Sequence, residues 1–101
     1  MSDAEKNEAV FVIIELQEVY DADAIQQYRA LAYEQMVRRG GTILARGGSI
    51  FEGGPSASST TIHRWKSADD FRDWQESDEY RPLKKLRVKA MKLRISIVPA
   101  V

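Results

Sequence analysis

Apolar positions along this chain change their period several times, and each change marks an element. Ala9–Gln17 (AVFVIIELQ) is rich in β-branched residues and predicts a strand. Val10, Val12, Ile14 and Leu16 share one face; Phe11 and Ile13 share the other, before it turns polar at Glu15 and Gln17. A strand apolar on both sides is covered on both sides, and is therefore central in its sheet. Asp21 or Asp23 is placed to cap a helix reaching about Arg39. Ala24, Ile25, Tyr28, Leu31, Ala32 and Met36 fall on one helical stripe, with Gln27, Glu34 and Arg38 opposite. Gly40-Gly41 ends the helix, the first glycine supplying a left-handed cap.

Thr42–Arg46 predicts a second strand, interrupted at Gly47-Gly48, with Ser49–Glu52 continuing extended and residues 53–58 forming a loop. Ser59–Lys66 predicts a third strand. Ser67-Ala68-Asp69-Asp70 resembles a capping box and opens a helix that buries Phe71 and Trp74. A restart at Ser77 leads into a helix over Tyr80–Ala90, and Leu93–Val98 is a last strand closed by Pro99. The order β-α-β-β-α-β predicts an α+β, ferredoxin-like sandwich: a four-stranded antiparallel sheet with its helices on one face. The helix-free face keeps large apolar residues, so the expected assembly is a homodimer across that face, a dimeric α+β barrel.

Composition narrows the class. At 101 residues the chain predicts one domain over residues 9–101 behind a flexible terminus of residues 1–8. Fifteen Lys+Arg against fifteen Asp+Glu remove the field expected of a nucleic-acid binder. Charge is nevertheless segregated: Arg81–Arg94 carries a net +7 and Met1–Asp23 a net −6, read as a solvated helix face offset by the acidic end of the chain. The absence of cysteine excludes disulfides, thiolate metal sites and a Cys nucleophile, and a single histidine argues against a transition-metal site. No dinucleotide or phosphate fingerprint is present, so no cofactor is expected. No apolar run is long enough to span a bilayer and no signal peptide opens the chain; the expectation is a cytoplasmic protein with no membrane partner.

Gly40-Gly41 followed by Leu44-Ala45-Arg46-Gly47-Gly48, then Glu52-Gly53, Phe71/Trp74, Ser77-Asp78-Glu79-Tyr80 and Leu86-Arg87, is similar in order and spacing to the domain-of-unknown-function family thirteen-thirty of the dimeric α+β barrel superfamily. The resemblance runs from about Ala9 to Val98. It implies a ferredoxin-like protomer whose sheet pairs with that of a second copy, and it implies no settled activity. The sequence departs from the family pattern at Arg64-Trp65-Lys66, where the family has an acidic residue, an aromatic and a proline.

Four residues carry the candidate chemistry. Arg87 is the one basic residue on the inner arc of its helix, where a guanidinium needs a carboxylate, a carbonyl or a bound anion; an ion pair with Glu52 or a snorkelling side chain is the alternative. Arg46 ends a strand against two glycines, and either meets a ligand or pairs with Glu52 at a bend. His63 is the only side chain that ordinarily titrates near neutrality, placing it as proton carrier or as a strand histidine satisfied by a neighbour. Tyr80 completes the polar lining of a cleft between sheet and helices, and Tyr33 falls off its helix stripe where a cleft mouth would be. These residues suit a small anionic or carbonyl-bearing ligand. The alternative is a cofactor-independent isomerase or oxygenase using His63 for acid–base chemistry with Arg46 or Arg87 on the oxyanion. A third reading is a purely structural or interaction protein.

Overall fold

A computed structural model describes residues 8–54 and 59–101. The expected flexible terminus falls, but for Glu8, outside the described residues, as do positions 55–58 of the expected loop. Strand β1 (Val10–Val19) is followed by helix α1 (Ala22–Arg38), strands β2 (Thr42–Gly47) and β3 (Ser59–Trp65), helices α2 (Ala68–Gln75) and α3 (Arg81–Ala90), and strand β4 (Met91–Pro99). The sheet is antiparallel in the order β2-β3-β1-β4, so the strand predicted to be central is one of the two inner strands.

Local chemistry explains the boundaries. Asp21 caps α1 by accepting from the Ala24 amide at 3.1 Å, and Ser67 caps α2 by accepting from the Asp70 amide at 3.1 Å. Gly40 leaves α1 with φ of 97°, a conformation that costs a side chain and not a glycine. The stretch from Ala68 to Ala90 is two helices, because Ser77 breaks the first: its hydroxyl donates to the Trp74 carbonyl at 2.6 Å and accepts from the Tyr80 amide at 3.3 Å, and Pro82 then opens α3.

Two expectations are corrected. Ser49–Glu52 does not continue the strand: β2 stops at Gly47, because Gly47 and Gly48 at φ of 103° and 90° turn the backbone out of the sheet. Leu31 sits at the margin of its stripe and is half exposed.

Val10, Val12 and Ile14 join Trp65, Phe71, Trp74, Met36 and Leu83 in the core between sheet and helices. Trp65 stacks on Trp74 with centroids 5.5 Å apart, and Phe71 meets both rings edge-on. Phe11, Ile13, Ile62 and Val98 alternate with core positions and so face the helix-free side. No helix among the described residues is long and apolar enough to cross a membrane.

Candidate functional site

The space between the sheet and α1–α3 is not filled completely. A cleft of about 70 Å³ opens there, and Arg46, His63 and Arg87 all line it. Two strand registers bring the first two together. His63 lies opposite Val12 on β1, a core position, so its ring points to the helices. Arg46 arrives by a β-bulge: Ile43 pairs with His63, but Leu44 is skipped, Ala45 pairs with Ile62 and Arg46 with Thr61. Strict alternation from Ile43 would have put Arg46 on the helix-free face; the extra residue flips it into the cleft. Arg46 Nε donates to Thr61 Oγ1 at 3.4 Å rather than pairing with Glu52.

Arg87 is likewise met by something other than Glu52. Its Nη1 donates to Gln75 Oε1 at 3.1 Å and to the Tyr80 hydroxyl at 2.9 Å, both neutral partners. Tyr80 is fully buried and does not line the cleft; it stands behind Arg87 and holds it in place. Its hydroxyl lies 2.6 Å from that of Tyr28, which does line the cleft. Arg29 and Tyr33 line the same space from α1, Tyr33 with its side chain more than half exposed.

Electrostatics follow from this placement. Trp65 Nε1 can only donate, and it donates to His63 Nδ1 at 3.4 Å; the neutral imidazole therefore carries its proton on Nε2. Burial, reinforced by the nearby Arg46 charge, pushes His63 down to about 4, so it is neutral at pH 7. Burial and then the neighbouring Arg29 also weaken the hold of Arg46 on its proton. Tyr28 is pushed well above its ordinary value, chiefly by burial, and stays protonated. Among the described residues the lining thus holds three guanidinium groups and no carboxylate, and no acidic side chain forms an ion pair with Arg29, Arg46 or Arg87. The remaining walls are apolar, with Ile14, Ile95, Leu93, Phe71 and Trp74 among them.

Sequence reasoning passed over Tyr28, Arg29 and Gln75. Tyr28 lay on the apolar stripe of its helix and read as core; the signal available was a hydroxyl on that stripe beside a flanking arginine.

This arrangement, a helix-backed antiparallel sheet with a cleft between its layers and a bare apolar face outside, is that of the dimeric ferredoxin-like α+β barrel proteins. Residues 9–101 match the family Domain of unknown function (DUF1330), and the chain belongs to that family. No curated protein matches it. Among solved structures, the RPA0582 protein of unknown function from Rhodopseudomonas palustris superposes with a TM-score of 0.79 at 16% identity, covering 94% of this chain and 84% of that one. SnoaB, a cofactor-independent oxygenase from Streptomyces nogalater, gives 0.69 at 14% identity, covering 93% and 94%. A dimeric ferredoxin-like protein of unknown function from Thermobifida fusca gives 0.65 at 10% identity, covering 94% and 93%. At such identities the likeness concerns the fold.

Proposed function

We propose that residues 9–101 act as one domain that forms a homodimer across the helix-free sheet face, and that each protomer binds a small organic anion in its own cleft. The observation that carries the binding reading is the charge of the lining. Among the described residues, three guanidinium groups and no acid face a mostly apolar cleft, in a chain whose net charge is zero. Such cations are held together against their mutual repulsion where an anion completes them. Arg46 and Arg87 supply charge, and the His63 Nε2–H and Tyr28 supply neutral donors. The apolar walls suit a hydrocarbon or aromatic body.

The dimer reading rests on Phe11, Ile13, Ile62 and Val98, which form an apolar strip over the sheet's bare side; the Thermobifida relative is described as dimeric. A thermal-shift titration tests the cleft: benzoate is expected to raise Tm and uncharged benzamide to leave it, with the benzoate effect reduced in Arg46→Ala and in Arg87→Gln. Equal shifts by both compounds would refute the anion reading. Sedimentation tests the assembly, with a dimer expected for the parent chain and a monomer for Ile13→Arg.

A second reading has one observation in its favour: His63, a titratable group, shares the cleft with three arginines. In a cofactor-independent isomerase or oxygenase it would move a proton beside a carbonyl while an arginine holds the oxyanion. A base pushed down to about 4, with Nδ1 occupied by Trp65, is weak for that task, so binding stands first. Turnover of an enolisable substrate that disappears in His63→Ala, with binding retained, would reverse the order.

A further inference from the structure

Proton accounting at the two buried tyrosines identifies a ligand-directed donor. The Tyr80 oxygen has two partners, Arg87 Nη1 at 2.9 Å and the Tyr28 hydroxyl at 2.6 Å. A guanidinium only donates, so Tyr80 accepts from Arg87 and keeps one proton to place. If Tyr28 were the donor between the two hydroxyls, the Tyr80 proton would be stranded. Tyr80 is fully buried, and among the described residues its hydroxyl has no further partner. Buried donors are not left so. Tyr80 therefore donates to Tyr28, and the proton of Tyr28 is left for a third partner.

Tyr28 lines the cleft, and so does Arg87. Both protons of Arg87 Nη1 are engaged by Gln75 and Tyr80, and the guanidinium also interacts with the Tyr28 hydroxyl, so its charge and its remaining N–H groups stand beside the Tyr28 oxygen. We infer that Tyr28 and Arg87 form a two-donor cradle for a single anionic oxygen, and that the ligand is a phenol or enolisable carbonyl compound held as its phenolate or enolate. The inference rests on the cleft reading above and deepens it. A neutral hydroxyl beside one cation, among apolar walls, stabilises charge concentrated on one oxygen, and Phe71 and Trp74 offer flat surfaces to a conjugated body. Tyr80 is then a positioning residue: it aligns both donors and touches no ligand.

The probe is 4-nitrophenol, whose colour reports its ionisation. The parent protein is expected to bind it as the phenolate, with the proton released to buffer, so that yellow absorbance develops below the pH at which the free compound ionises. Tyr28→Phe is expected to lose about ten- to a hundredfold in phenolate affinity, the range for a hydrogen bond to a charged group. Nitrobenzene, which has no such oxygen, should bind Tyr28→Phe as it binds the parent; this shows that the cleft has kept its shape. Phenolate binding unchanged in Tyr28→Phe would overturn the donor role and leave the cleft reading standing. Equal loss of both probes would assign Tyr28 to shape alone and overturn it too. Failure of the parent to bind either probe would sink the cleft reading together with the inference.

Discussion

Gly41 offers a sharp test of how rigidly the cleft floor is built. A methyl placed on it would lie 2.6 Å from Met36 Cγ, 2.6 Å from Trp65 Cζ2 and 2.7 Å from Trp65 Cε2. Ordinary carbon contacts lie near 3.5–4.0 Å, so these atoms must retreat by roughly 1 Å. Neither has room: Trp65 is fully buried with its indole stacked on Trp74, and Met36 is 1% exposed. Interiors this dense respond with off-rotamer side chains, so Gly41→Ala is expected to cost about 2–3 kcal/mol, the upper part of the overpacking range. Gly40 is the internal comparison. A methyl there meets nothing within 4 Å, and the penalty is the left-handed backbone alone, about 1 kcal/mol. Urea unfolding followed by tryptophan fluorescence, at one protein concentration so that dimer linkage cancels, reads both. The functional consequence is separate. The indole that must move also donates to His63, so Gly41→Ala should weaken benzoate binding while Gly40→Ala should not. A Gly41→Ala variant as stable as Gly40→Ala would refute the argument that Trp65 is fixed in place.

Two further predictions concern protons. His63 ionises at about 4 in the folded chain and near 6.5 unfolded, so the unfolded state takes up its proton first as pH falls. Its contribution is whole above pH 6.5 and drains by about 3 kcal/mol toward pH 4, at about 1.4 kcal/mol per decade of proton affinity; His63→Gln should flatten that part of the stability–pH curve, and an unchanged slope would show the ring to be freely protonated. Glu79, held down to about 2 by hydrogen bonds from Arg38 and then Arg39, stabilises the fold above its ordinary range near 4.5 and loses that effect as pH falls through about 2. Glu79→Gln should therefore lower Tm at pH 7 and match the parent near pH 1.5, and a carboxyl NMR titration midpoint near 4 would contradict the pairing.

The elements were legible because local chemistry and burial agree. β-branched runs became strands, Asp21 and Ser67 became caps, and the apolar stripe of α1 met the sheet. The end of β2 was not legible, since Ser49–Glu52 has ordinary extended-chain composition and only the positive φ of Gly47 and Gly48 takes it out of the sheet. Partners of charges were equally hidden. Glu52 was the acid expected as the alternative partner of either arginine, yet neutral groups contributed by β3, by α2 and by the residue before α3 meet them instead.

The candidate site depends on two facts that no single-sequence pattern contains. One is a register shift. Arg46 lies in the cleft only because Leu44 is skipped in the pairing with β3, and a bulge of this kind has no spelling in Thr42–Gly47 beyond the glycine that follows. The other is the direction of one proton, which follows from the burial of Tyr80 and from the donor-only character of Arg87, thus from three-dimensional neighbours and not from Tyr28 itself. Net charge hides the site in the same way. Fifteen bases balance fifteen acids over the chain, while among the described residues the cleft collects three bases and no acid. The carboxylates of the described residues lie elsewhere, as with Glu15 against Arg94 on the helix-free side and Glu79 against Arg38 and Arg39. A neutral chain can therefore carry a strongly electropositive site wherever its acids are engaged by other partners. Here those ion pairs are part of what leaves the cleft arginines without an acidic partner among the described residues.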